Sequence, residues 1–413
     1  MSKKIISTIL FAIITTLLTA QTFNLSAEIR PRYENKHGYK TLQVTNADGA
    51  NFISQRTRLN FGYKNEKLSM YVSLQDVRVW GDVGTISNDG TSNALHEAWA
   101  EAILSDKVSL KIGRQEITYD DHRIFGSVGW AQKARSHDAF IFKFTPNNKN
   151  RIDIGIAINE INEDGVDDLY SIQHKSFQYV WYHTKFNQLG VSFLALNTGY
   201  EYIDISSGDQ TIDYMQTIGP RITYKKNKIN ANIATYFQTG KKNDANLSAL
   251  YYSGNFGYKV NENFTLGIGY EYLSGKNQDD SSADIKSFAP LFGTNHKFNG
   301  WMDYFYVGNH GGSVGLSDIN VTVAYKKNKF SAKIIPHFFS TAADVYNGSD
   351  KMEAKLGTEI DVTFGYKIAK DITLTAGYSQ MFATDTMEQL KGGGKDETNS
   401  WSWIMFTFKP KFL

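Results

Sequence analysis

Arginines and acids recur in this chain at intervals of two, and that spacing is its first chemical signal. Arg30 and Arg32 share one parity with Glu28 and Glu34, and Arg56 and Arg58 repeat the pattern in the next segment. Arg221 lies opposite Ile218, Ile222 and Tyr224; Lys333 and His337 lie opposite Ala332, Ile334 and Phe338. Arg135 and His137 oppose Phe140, Phe142 and Phe144. A guanidinium is planar, forked and permanently charged, so it binds carboxylate or phosphate in bidentate fashion. Several such groups around one constriction select anions. Glu28, Glu34, Asp153, Glu271, Glu359 and Asp361 share the polar parity, so pairing across strands is the competing role for any single arginine. Arg78 and Arg114 share parity with apolar neighbours, Leu74 and Ile112. A β-bulge beside each would turn both to the polar face, and that is the expectation here.

Catalytic patterns are weak by comparison. His96 adjoins Glu97, and Asp120, Asp121 and His122 cluster, but a chain with nine histidines produces such neighbours by chance. The HExxH pattern is absent, no Ser–His pair has a hydrolase-like spacing, and there is no cysteine for a nucleophile, thiolate metal site or disulfide. Neither an enzyme nor a metal or cofactor is expected.

These side chains need elements that alternate, and the chain alternates from end to end. Phe23, Leu25, Ala27, Ile29 and Tyr33 share one parity; Asn24, Ser26, Glu28, Arg30 and Arg32 share the other. Ile152, Ile154, Ile156 and Ile158 oppose Arg151, Asp153 and Asn159, and Phe264, Leu266, Ile268, Tyr270 and Tyr272 oppose Thr265, Gly267, Gly269 and Glu271. Period two means strands with one apolar and one polar face. The apolar faces often end in Tyr or Phe, as aromatic girdles at membrane interfaces do. Strand backbone can cross lipid only in a closed barrel, which has no unsatisfied edge.

Composition agrees. Aromatics make up 14% of residues, Pro is only 6 against Gly 34, and no segment after the N-terminus approaches the length of a helical membrane span. Residues 1–20 read as a signal peptide: Lys3 and Lys4, an apolar run from Ile5 to Leu18, and cleavage after Ala20. Without Lys3 and Lys4 the basic and acidic residues both number 42, which gives no reason to expect a nucleic-acid partner.

Eight short turns punctuate the strands: Lys64–Lys67, Ser105–Lys107, Asn147–Asn150, Asn187–Gln188, Lys226–Lys228, Asn261–Asn263, Lys327–Lys329 and Ala369–Asp371. Longer loops, rich in Gly and Asp, lie between them. This is the asymmetry of outer-membrane barrels, short turns inside and long loops outside, and it implies about eighteen strands. Acidic loops holding Glu160, Glu163, Asp164, Asp167 and Asp168, or Asp279, Asp280 and Asp284, read as solvated surface. The longest loop, 274–312, carries His296, Lys297, Phe298, Trp301, Asp303, Tyr304, Phe305 and Tyr306. So many aromatics will not stay solvated: the loop packs on the rim or folds into the mouth and narrows it.

The run LKIGRQEITYDDHRIFGSVGWAQKARSHDAF at 110–140 resembles the core signature of the alginate-export porins. RPRYE at 30–34, QRTRLNFGY at 55–63 and VSLQDVRVWG at 72–81 resemble that family's opening strands; LFGTNHKFNGWMDYF at 291–305 resembles its long surface loop. The resemblance implies an eighteen-stranded monomeric barrel with an electropositive pore, in which Arg30, Arg32, Arg56, Arg58, Arg78, Arg114, Arg123 and Arg135 are pore or rim arginines. One difference is the lack of a long periplasmic turn that could act as a plug.

The expectation is therefore an all-β protein, with residues 21–413 forming one antiparallel transmembrane barrel in the outer membrane of a Gram-negative bacterium. It contacts lipid and lipopolysaccharide and passes acidic small molecules or glycans, uronate oligosaccharides or alginate among them. A general uptake porin and a non-transporting surface barrel are the alternatives.

Overall fold

The computed structural model describes residues 21–86, 93–163 and 168–413. The proposed signal peptide, Asp164 and Asp167 lie outside the described residues. Eighteen strands form one antiparallel sheet. They are β1 Thr22–His37, β2 Ala50–Lys64, β3 Leu68–Val79, β4 Asn93–Ser105, β5 Val108–Gln115 and β6 His137–Asn147. Next come β7 Asn150–Ile158, β8 Ser176–Phe186, β9 Leu189–Ile203, β10 Gln210–Lys226, β11 Ile229–Lys242 and β12 Ala245–Lys259. The rest are β13 Phe264–Leu273, β14 Leu316–Lys327, β15 Phe330–Ser340, β16 Lys355–Ala369, β17 Ile372–Ala383 and β18 Asn399–Phe408. Each pairs with its neighbours in sequence. β1 closes the ring, pairing with β2 from Thr22↔Lys64 to Lys36↔Ala50 and with β18 from Ile29↔Phe408 to His37↔Ser400. All eight short turns predicted from sequence connect successive strands.

The two faces follow parity. Ile29 is 43% exposed and Arg30 next to it 6%, so apolar side chains point outward to lipid and charged ones inward. This inverts a soluble protein and suits a membrane-spanning wall. A sheet of this strand number encloses a wide lumen, and here two loops fill much of it. Residues 116–136, between β5 and β6, and residues 274–315, between β13 and β14, turn inward. The loops join each other: Gly126 N–H donates to Phe292 O (2.8 Å), and Thr294 N–H donates to His122 O (2.9 Å). The apolar core therefore sits inside the barrel, where Phe125, Phe177, Tyr251, Met302, Tyr304 and Trp401 are almost fully buried.

Three sequence expectations need correction. A bulge does lie opposite β3, but the extra residue, His96, belongs to β4: Ser73 faces Glu97 and Leu74 faces Leu95. The parity of β3 is unchanged, so Arg78 stays on the outer face with Leu74 and binds Asp76 (Nε–Oδ2 2.7 Å). Arg114 also stays outside, paired with Asp138 across β5 and β6 at 2.6 Å, while Gln115 takes the buried inner position. Arg135 precedes β6 and belongs to the inserted loop rather than to a strand.

Candidate functional site: the narrowed lumen

The inward arginines of β1 and β2 meet loop 116–136. Arg30 donates to Gly129 O (2.9 Å), Trp130 O (3.0 Å) and Gln132 Oε1 (3.1 Å from Nε). Arg32 donates to Glu34 (2.9 Å) and Trp130 O (3.0 Å), with its guanidinium 4.7 Å from the Trp130 ring centre. Arg56 binds Glu28 at 2.5 Å and also reaches Gly129 O (3.3 Å). Arg58 donates to Gln75 (2.7 Å), whose amide donates in turn to Lys133 O (3.0 Å). A buried polar backbone needs donors, and five N–H groups in a fixed fork supply them. The loop's own carbonyls and nearby acids thus occupy most of these guanidiniums.

The far side of the loop is held as firmly. Tyr119 donates to Asp153 (2.8 Å). Asp120 accepts from Trp181 Nε1 (3.1 Å) and Ser192 Oγ (2.5 Å). Arg221 binds Asp121 at 3.2 Å. Arg123, 2% exposed, pairs with Glu271 of β13 at 3.0 Å and also binds Asn299 (2.9 Å). The loop is therefore a bridge across the lumen from β1–β3 to β7–β10 and β13.

The second loop docks on the opposite wall. Glu359 of β16 accepts Trp301 N–H (2.5 Å) and Met302 N–H (2.9 Å). Gly300 permits this approach: its φ is +78°, and a Cβ there would lie 2.6 Å from Glu359 Oε1. Tyr304 OH donates to Gly38 O. Arg135 donates to Gly293 O (2.8 Å), and burial lowers its guanidinium to about 10. Asp303 accepts from Tyr39 OH (2.6 Å) and lies 3.2 Å from His296 Nε2.

Burial raises the Asp303 carboxyl from 3.8 to about 6, against the opposing pull of Tyr39, Lys40, Lys36 and Arg32. Burial, then Arg32, lowers His296 from 6.5 to about 3. Alone, the Asp303 shift favours folding below pH 3.8 and loses that contribution as pH rises through about 6. Alone, the His296 shift does the reverse: its contribution is complete above 6.5 and disappears as pH falls toward about 3. Between about pH 4 and about pH 6 the folded pair holds one proton on Asp303 and the unfolded pair holds one on His296, so the dependences cancel. Hydrogen-exchange protection of residues 296–305 is expected to stay level over that window. In Asp303→Asn it should fall with pH. A wild-type loop that loosens steadily across the window contradicts the pairing.

Two adjoining cavities lie between the loops and the wall, toward the short turns. One cavity of about 250 Å³ is lined by four tryptophans, Trp130, Trp301, Trp401 and Trp403, with His296 and Lys333. An adjoining cavity of about 450 Å³ shares His296, Trp301 and Lys333 and adds Arg221, Lys297 and Asp318. Lys333 Nζ sits 4.9 Å from the Trp301 ring centre, and Lys297 Nζ donates to Asp121 O at 2.5 Å. No carboxylate forms an ion pair with either lysine among the described residues. Asp121 still acts on Lys297 and Asp361 on Lys333 through space, and Asp121, Glu271 and Asp318 line the second cavity with them. Farther up the wall, His96, Glu97 and Glu116 bring ligand atoms within 4.8 Å of one another. Glu97 already accepts Glu116 N–H (3.0 Å) and Trp99 Nε1 (3.2 Å), and Arg58 stands 3.9 Å from Glu116. This group is a hydrogen-bonded wall seam.

The structure thus places Arg30, Arg32, Arg56, Arg58, Arg221 and Lys333 on the inner face, Arg123 and Arg135 in the first loop, and His296, Lys297, Trp301, Asp303 and Tyr304 in the second. Arg78 and Arg114 are not brought to the lumen. Gln132, Gln75, Trp401 and Trp403 were not singled out from sequence, and Glu359 was named only as one acid on the inward parity. The signal available for Trp401 and Trp403 was their shared parity in the last strand, and for Gln132 its place in a run without alternation.

An eighteen-stranded barrel with an apolar exterior and a loop-narrowed lumen is an outer-membrane channel. The sequence matches the alginate export family over residues 21–401, and the chain belongs to that family. No curated protein sequence matches the chain. Among solved structures it is similar to OccAB1 of Acinetobacter baumannii, at 12% identity and TM-score 0.67, covering 95% of this chain and 97% of that one. It is also similar to OccD3 (OpdP) of Pseudomonas aeruginosa, at 12% identity and TM-score 0.65, covering 95% and 92%. The Pseudomonas aeruginosa OpdK structure with vanillate aligns at 10% identity and TM-score 0.64, covering 94% and 99%. At these identities the likeness is one of fold. Family and fold are those of transport channels of the Gram-negative outer membrane.

Proposed function

We propose that this barrel works as a monomer that passes small acidic solutes carrying a flat face, uronate and short oligouronates first among them. The observation that carries the reading is the tryptophan-lined cavity with Lys333 in its wall and Lys297 in the wall of the adjoining cavity. A sugar or aromatic ring stacks on an indole face while its carboxylate meets an ammonium. The arginines of β1 and β2 shape the passage by holding loop 116–136, and their surplus charge adds a positive background. The loops favour single residues or short oligomers. A polymer would need them displaced. OpdK was solved with vanillate, an aromatic carboxylate; a ring face joined to an anionic group is also what this cavity suits. The outer face contacts lipid and lipopolysaccharide.

The test is block of single-channel current. Galacturonate added on the short-turn side should interrupt the current, and galactose at equal concentration should not. Trp301→Ala should weaken the block several-fold. Equal block by the neutral sugar would remove the anionic part of the reading.

A further inference from the structure

The outer wall carries a chain of amides that passage of a solute does not use. On β8, β9 and β10, Val180, Phe193 and Ile218 are exposed, whereas Tyr179, Leu196 and Thr217 are buried. Gln178, Asn197 and Gln216 share the outward parity of the exposed set. They also stand side by side, because Gln178 pairs with Asn197, and Asn197 with Gln216, in the strand ladder. Gln216 Nε2 donates to Asn197 Oδ1 (2.7 Å), and Asn197 Nδ2 donates to Gln178 Oε1 (2.8 Å). Polar groups on a lipid-facing wall are costly to leave unmade, and these bonds satisfy only the middle of the chain. Gln178 Nε2 remains as a spare donor at one end and Gln216 Oε1 as a spare acceptor at the other; both residues are only half-buried, so both ends open outward. Turning all three amides over exchanges the ends and leaves the same pair, one donor and one acceptor.

Depth and shape say what meets them. From the short-turn ends at Phe186, Leu189 and Lys226, tilted strands climb about 20–25 Å to reach the three amides. The apolar band of an outer-membrane barrel is about 25 Å tall, so the chain lies at its upper border, in the outer leaflet. Directly below it the wall is notched. Ala195 stands between Val180 and Ile218 in the ladder, and its small side chain leaves a hollow of about 260 Å³. Ile154, Ile156, Val180 and Ile218 form the sides of that hollow, and the amide chain edges it. An acyl chain suits the hollow, and the group joining it to its headgroup then falls level with the amides. In a glycerophospholipid that joint is an ester, which accepts hydrogen bonds and donates none, so it answers the donor end alone. In lipopolysaccharide it is a hydroxyacyl amide, which both donates and accepts. One lipopolysaccharide carries several such joints side by side, and the two ends lie about 10 Å apart, two strand spacings.

We propose that the notch and its amide chain dock one lipopolysaccharide molecule, with an acyl chain in the Ala195 hollow and hydroxyacyl amide groups on Gln178 and Gln216. The site gives the lipid contact of the outer face a definite place on β7–β10. It rests on the proposed function only for that contact and is independent of what passes through the lumen.

The experiment is native mass spectrometry of the detergent-folded full chain, with lipid A as the probe and phosphatidylethanolamine as the control. The wild type should retain one lipid A and prefer it to phosphatidylethanolamine by about tenfold or more, because the ester lipid has no donor for the acceptor end. Ala195→Phe fills the hollow, and Gln178→Leu combined with Gln216→Leu removes both ends. Each should weaken lipid A retention by about tenfold or more. Both variants should keep heat-modifiable mobility and wild-type small-ion conductance, since none of these side chains faces the lumen. No retained lipid A, equal retention of the two lipids, or wild-type retention in either folded variant would each overturn the proposal. So would a lipid-free dimer that Ala195→Phe disperses, which would seat a second copy of the chain in the notch. Failure of the channel reading looks different: galacturonate would not block current, while Ala195-dependent retention of lipid A would persist.

Discussion

Removing residues 294–310 should raise single-channel conductance several-fold. That segment includes Met302 and Tyr304, both with no measurable exposure, and Trp301 at 9%. It also contains both backbone donors to Glu359 and the Lys297 contact to the first loop. An eighteen-strand lumen without it would be limited by loop 116–136 and the remaining part of the second loop. The deletion should leave the strand ladder intact, since β13 and β14 pair along their whole length from Phe264↔Tyr325 to Leu273↔Leu316. Conductance equal to wild type, in a protein that keeps the heat-modifiable mobility of a folded barrel, would mean the loop does not narrow the path.

The second large effect is expected from Arg56→Ala. Glu28 would keep Lys409 at 2.7 Å but lose its 2.5 Å partner. The carbonyls of Gly129 and Ala131 would each lose a charged donor. Glu28 also keeps Arg30 at 3.8 Å, so the loss is that of charge-assisted hydrogen bonds, about 1.5–3 kcal/mol each, here against docking of the loop rather than against the barrel. The loop should therefore exchange amide hydrogens faster and the current should flicker toward larger openings. Arg56→Lys should lie between the two, because an ammonium carries charge without the fork. Steady wild-type current from Arg56→Ala would show that the guanidinium row does not hold the loop.

Much of the wall was legible in sequence because its physics is local. Alternation within β1 places Arg30 inside and Ile29 outside, and each short turn names the ends of two strands. The occupants of the lumen were not legible in the same way. Arg30 meets Gln132 over a separation of 102 residues, and parity says where a side chain points without saying what arrives to meet it. Arginines that look free for solute are in fact committed to the chain's own carbonyls. Arg78 and Arg114 turned on a one-residue detail: a bulge re-aims the strand that carries it, and the extra residue sits in β4. The second loop was foreseeable as a mouth element from its aromatics. Its anchor, Glu359, was visible only as one more acid on an inward parity.

The proposed anion preference rests on Lys297 and Lys333, and one measurement addresses it directly. Reversal potential in a potassium chloride gradient should show anion selectivity for the wild type. The double substitution Lys297→Gln with Lys333→Gln should bring it toward zero. A cation-selective wild type, or a double variant with unchanged reversal potential, would contradict an anion path past Trp301.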